Sequence, residues 1–98
     1  MSKRLCIGLL TYCDDTVSPE RFEILKRAVS SLRHLPRDDV YIYVWDNNSS
    51  PNVKDFLLSQ DFFDEIYFSE KNLFDNVAVN FLARRASELN VEFVCYLD

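Results

Sequence analysis

The sequence predicts an α/β fold in which strands and helices alternate as βαβαβαβ, the strands forming a Rossmann-like parallel sheet with helices on both faces. Three observations carry this expectation. Short apolar runs of strand length recur along the chain, stretches with apolar residues three and four apart lie between them, and polar clusters punctuate the joins. Strands that alternate with amphipathic helices pair in parallel through right-handed crossovers.

The first strand is expected over residues 5–10, an unbroken apolar run of the kind found where both faces of a sheet are covered (L-C-I-G-L-L). A polar loop follows over 11–18. Ser18 then stands as N-cap before Pro19 at the first helical position, with Glu20 in the first turn. Phe22, Leu25, Val29 and Leu32 form one apolar stripe, and the helix is expected to run to about His34, where Leu35 and Pro36 stop it. The run V-Y-I-Y-V-W at 40–45 is the strongest strand signal, being wholly β-branched and aromatic. It ends in Asp46, Asn47, Asn48, Ser49, Ser50 and Pro51, a turn cluster that introduces a short helix over 53–59. A third strand is read over 62–68. The third helix is read over 75–89 with Ala78, Phe81, Leu82, Ala86 and Leu89 on one face, and the fourth strand over 91–97.

Ninety-eight residues make one domain at most, and apolar residues at 48% are enough to build its core. A formal net charge of −5 repels phosphate backbones, which argues against nucleic acid as a partner. It also means that a bound nucleotide diphosphate needs a divalent cation or oriented backbone N–H groups. Cys6, Cys13 and Cys95 are odd in number and lack C-x-x-C spacing, so neither a disulfide framework nor a zinc site is expected. They read as reduced thiols of a cytoplasmic protein, with Cys6 and Cys95 as small buried hydrophobes in apolar strands. The basic start at 1–4 and the apolar run behind it do not make a signal peptide, because the run is short and Asp14 and Asp15 follow. No stretch approaches the 18 to 20 apolar residues of a membrane span.

In open sheets of this kind ligands bind beyond the carboxyl ends of the strands. That rule singles out 11–15, 46–50, 69–72 and Asp98. Gly8 is the only glycine, which removes the glycine-rich dinucleotide fingerprint and the P-loop. Adjacent Asp14 and Asp15 read as solvated loop carboxylates, and His34 as a favourable partner of a helix C-terminus.

The run L-L-T-Y-C-D-D, then V-W-D-N-N-S-S after the second strand, E-K-N before the third helix with Asn80 inside it, and V-C-Y-L-D at the end together resemble the N-terminal, nucleotide-sugar-binding half of family 2 glycosyltransferases of the GT-A fold. The resemblance spans nearly the whole chain. It implies that residues 1–98 are part of a glycosyltransferase domain, cut at the first aspartate of the D-x-D motif. Thr11 and Tyr12 would line the nucleotide base, and Asp46 would accept a hydrogen bond from the ring N–H that uracil and guanine both present. Asp98 would be the first aspartate of D-x-D, touching the ribose or Mg²⁺ or Mn²⁺. Asn48 and Ser50 would shape the turn. Where the family usually has Asn-x-Gly before the third helix, this chain has Asn72, Leu73 and Phe74.

The implied reaction is transfer of a sugar from a nucleoside diphosphate sugar to a saccharide, lipid or protein acceptor, the metal offsetting charge on the departing diphosphate. No catalytic base falls within these residues. The stretch alone is expected to carry the donor-nucleotide site without transferase activity, in a protein that is cytoplasmic or peripheral at a membrane. The fourth strand, interior to the sheet in the family, would be left as an apolar edge open to self-association. Two other readings stand beside this one: a non-catalytic α/β interaction module, which needs a well-covered fourth strand, and a domain like the sugar-phosphate nucleotidyltransferases, which usually carry a glycine-rich basic loop after the first strand.

Overall fold

The computed structural model describes residues 3–72 and 75–97. Its elements alternate as expected: β1 (Leu5–Thr11), α1 (Pro19–Leu32), β2 (Val40–Asp46), α2 (Pro51–Leu58), β3 (Glu65–Phe68), α3 (Asp75–Leu89) and β4 (Phe93–Leu97). The four strands form one all-parallel sheet in the order β3-β2-β1-β4. The chain steps outward from β1 to β2 and β3, then crosses back to the far side of β1. Right-handed crossovers in opposite directions place their helices on opposite faces.

Two core layers follow from this. On one face Ile7, Leu9, Ile42 and Val44 pack with Val29 and Leu32 of α1 and Val53 and Leu57 of α2. On the other, Cys6, Leu10, Tyr43 and Trp45 meet Ala78, Leu82 and Ala86 of α3. Small residues let α3 lie close to the sheet, and Gly8 is part of that fit: a Cβ there would come within 2.5 Å of Leu82 Cδ1.

Several boundaries differ from the sequence reading. β3 begins at Glu65 rather than 62, because Phe62 turns into the α1/α2 core and Asp64 instead ties the loop to β2, its carboxylate accepting Ile42 N–H at 2.7 Å. Helix α1 stops at Leu32, so His34 lies past its end. Ser18 precedes α1 without a side-chain cap bond; its carbonyl accepts Arg21 N–H at 3.1 Å instead. Pro51 opens α2 two residues earlier than expected, and Asn48 and Asn90 take the left-handed backbone that Asn tolerates, φ 63° and 58°. The burial expected for Cys95 is corrected. Cys6 and Cys13 are buried, but Cys95 is exposed, because β4 is an edge strand with all five of its residues exposed. Asp98, Leu73 and Phe74 lie outside the described residues. Among those described, no helix is long and apolar enough to cross a membrane.

Candidate functional site

The strand order reverses between β1 and β4, and crevices for ligands open at the carboxyl ends of strands flanking such a switch point. Among the described residues β1 pairs with β4 from Leu5 opposite Phe93 to Leu9 opposite Leu97, and Leu10 and Thr11 complete the carboxyl end of β1. A cavity of about 140 Å³ opens there between the end of β1 and helix α1, lined by Thr11, Tyr12 and Cys13 from the strand and loop and by Arg21, Ile24 and Ala28 from the helix. Tyr12 and Ile24 are exposed at its mouth. Among the described residues Arg21 is the one charged residue in the lining.

Behind the cavity lies a buried polar cluster that fixes the two strand ends. Thr11 is paired opposite Asp46, and Thr11 Oγ1 donates to Asp46 Oδ1 at 2.6 Å. Ser49 donates to the same carboxylate twice, from Oγ at 2.6 Å and from its backbone N–H at 2.9 Å. Cys13 N–H donates in turn to Ser49 Oγ at 2.9 Å. Asp46 is 0% exposed, and every buried side-chain polar atom of the described residues has a partner, as burial requires. The backbone reinforces the cluster, with Asn47 N–H donating to Thr11 O and Ser69 N–H to Asp46 O, both at 2.8 Å. Since the single Thr11 hydroxyl proton is committed to Asp46, Thr11 can offer the cavity only lone pairs.

The structure thus brings Thr11 and Tyr12 together at one cavity and sets Asp46 one shell behind Thr11. As placed, Asp46 orients Thr11 and does not itself line the cavity. Asp15 is held on the other side of the loop by Ser50 Oγ and by Asn52 Nδ2, and these bonds keep its carboxyl below the usual carboxylate range. Asp14 accepts the N–H and hydroxyl of Thr16. Both carboxylates are therefore engaged in shaping the loop. Burial pushes the Cys13 thiol up, with Arg21 acting the other way, which leaves it a neutral lining group at neutral pH.

Arg21, Ile24 and Ala28 were not singled out by the sequence reading. They share one helix face at spacings of three and four, offset from the core stripe of Phe22, Leu25, Val29 and Leu32. A charged residue near an isoleucine outside the core stripe reads as a solvent face in sequence, and only the position of α1 over the end of β1 turns that face toward a cavity.

Sheet order, crossovers and cavity together define a Rossmann-like α/β domain with a crevice at its switch point. No family model matches the chain, and neither a curated protein nor a solved structure does.

Proposed function

We propose that this chain carries the donor-nucleotide site of a glycosyltransferase that uses a nucleoside diphosphate sugar. The observation that supports the reading is the meeting of Thr11 and Tyr12 at a cavity beside the switch point, with Asp46 bonded to Thr11. Tyr12 offers a ring face for a base to stack on, and Thr11 offers an acceptor for a ring N–H. Asp46 serves the base through Thr11, by holding the hydroxyl in its acceptor orientation. Arg21 gives the cavity one cation to set against phosphate in a chain of net charge −5. At about 140 Å³ the cavity is well under the roughly 300 Å³ at which pockets for drug-sized ligands begin. It suits one ring, and binding to this chain alone is expected to be weak.

The described residues contain no group of three His, Cys, Asp or Glu placed to hold a metal ion. Mg²⁺ or Mn²⁺ therefore enters the reading only through Asp98 and its motif, and no chemical step is assigned to it. The interaction-module alternative needs a covered fourth strand, whereas β4 is exposed along its whole length. The nucleotidyltransferase-like alternative lacks its glycine-rich basic loop, residues 11–18 having neither Gly nor Lys nor Arg.

The test is a titration with UDP and GDP, each with and without Mn²⁺, followed by amide NMR shifts. Shifts clustered at Thr11, Tyr12, Cys13 and Arg21 are expected, weakened at least tenfold by Thr11→Val, which keeps the shape and loses the acceptor. No shifts with either nucleotide at millimolar concentration would overturn the reading.

A further inference from the structure

Size and a single polar contact decide which base the cavity beside the switch point can hold. Its inner wall is made by Leu9, Leu10, Thr11 and Cys13, all 3–7% exposed. The facing wall is one side of α1, where Leu25 is half-buried against the core and Ile24 and Ala28 stand exposed at the rim.

The space between these walls is about 140 Å³. A cavity of roughly 150 Å³ holds one benzene molecule, so a single six-membered ring fills this one. A purine adds a fused five-membered ring. The inner wall has little room to yield to it, because Leu9 and Cys13 belong to the core layer that α1 and α2 share, and close-packed side chains move only at the cost of strain. Guanine that brings its ring N–H to Thr11 has to lodge its second ring at the rim, among Tyr12, Ile24 and Ala28. A misfit of one small group in an apolar pocket discriminates by about 10–200-fold.

Thr11 sorts the single rings. Its hydroxyl donates to Asp46 Oδ1 at 2.6 Å, and Ser49 Oγ donates to the same oxygen and helps to hold that carboxylate in place. Thr11 therefore presents lone pairs to the cavity. Uracil and thymine meet them with N3–H, whereas cytosine carries a lone pair of its own at that ring position.

We infer that the base bound here is a pyrimidine with a protonated N3, uracil or thymine, and that Ile24 and Ala28 set the size limit. The inference rests on the donor-site reading and deepens it. Specificity is divided between two elements: β1 supplies the acceptor, and the first helix supplies the limit on size.

The experiment is amide NMR titration of the chain with UDP, dTDP, CDP and GDP at constant Mg²⁺ and salt, so that the diphosphate is the same in every arm. A dUDP arm separates the 5-methyl group of thymine from the missing 2′-hydroxyl and so tells the two pyrimidines apart. UDP or dTDP is expected to bind at least about tenfold more tightly than both CDP and GDP. Ile24→Ala widens the rim at an exposed position and should bring GDP to within about threefold of the preferred pyrimidine. Ala28→Leu fills the cavity with a residue that helices favour and should weaken every nucleotide about tenfold or more. Both variants should keep the circular dichroism spectrum. GDP or CDP binding as tightly as UDP and dTDP to the unaltered chain, with shifts at Thr11 and Tyr12, would sink the base assignment and leave the donor site standing. A preference unmoved by Ile24→Ala together with binding unmoved by Ala28→Leu would overturn the size limit. An absence of shifts with all five nucleotides would instead overturn the donor-site reading, and this inference with it.

Discussion

β2 and β4 are strands of the same chemical character, V-Y-I-Y-V-W-D and F-V-C-Y-L, placed in opposite surroundings. β2 lies between β1 and β3, is covered by α1 and α2 on one face and α3 on the other, and Val44 at its centre is 0% exposed. β4 sits at the edge beside β1, and Val94 in the matching kind of position is 40% exposed. What separates them is sheet order. β2 has a strand on each side and a helix over each face, while β4 has a strand on one side only, and the buried residues Ala78, Leu82 and Ala86 of α3 cluster with Cys6, Leu10, Tyr43 and Trp45 of β1 and β2. Composition marks a residue run as a strand; topology decides whether its apolar surface contributes to the core or faces water.

The same substitution placed in both strands should separate them most strongly. Val44→Lys puts an unpaired ammonium where there is neither water nor a partner, a cost of about 4 kcal/mol or more. Set against the roughly 5–15 kcal/mol of a whole domain, that should abolish the cooperative thermal transition. Val94→Lys can lift its charge into solvent, since Val94 is 40% exposed, and should move the melting midpoint little. Equal destabilisation by the two variants would show that β4 is covered in solution and break the contrast.

Much of this was legible in sequence, for physical reasons that particular residues display. The stripe of Val29 and Leu32 marked the buried face of α1, and Ala78, Leu82 and Ala86 marked that of α3, because a period of 3.6 residues leaves no other way to cover a sheet. Phe81, placed on the same face, is instead 38% exposed, lying over Trp45 with ring centroids 5.1 Å apart. Phe62 was misread as strand: an apolar residue in a loop can fill a core as well as one in a sheet. The strand-end residues Thr11 and Asp46 were found singly. Their bond was not, since it depends on the register that sets them side by side, and Arg21 stayed hidden because the cavity it lines is made by two elements packing together.

Asp46 extends the contrast between covered and open to polar groups. As the most buried carboxylate of the central strand, it is stable there because Thr11 and Ser49 supply three hydrogen bonds. Asp46→Ala leaves the Ser49 N–H without its acceptor and turns both hydroxyls loose in a buried site, a loss of about 2–4 kcal/mol in chemical denaturation. The variant should also abolish any nucleotide-induced shift at Thr11. A loss under about 1 kcal/mol would mean that water reaches the cluster and that Asp46 is more open than its surroundings imply.

The smallest effect sharpens the comparison between the two edges of the sheet. At the β3 edge, Glu65 accepts from Arg85 Nε at 2.6 Å and from the Tyr41 hydroxyl. Burial pushes the Glu65 carboxyl up, but the hydrogen bonds from Arg85 and Tyr41 outweigh it and hold the carboxyl below its ordinary range, while burial and the same carboxylate raise the Tyr41 phenol to about 12. A depressed carboxyl stabilises the fold above its unfolded value and loses that contribution as pH falls through the folded value. Since Glu65 and Arg85 are about a third exposed, at 29% and 32%, solvent screens the pair and Glu65→Gln should cost only about 1 kcal/mol at neutral pH. The gap between wild type and Glu65→Gln in urea midpoints should shrink as pH drops below the ordinary glutamate range. A gap unchanged by acid would trace the loss to packing of the side chain, leaving the β3 edge guarded by its shape and short length and not by its charge.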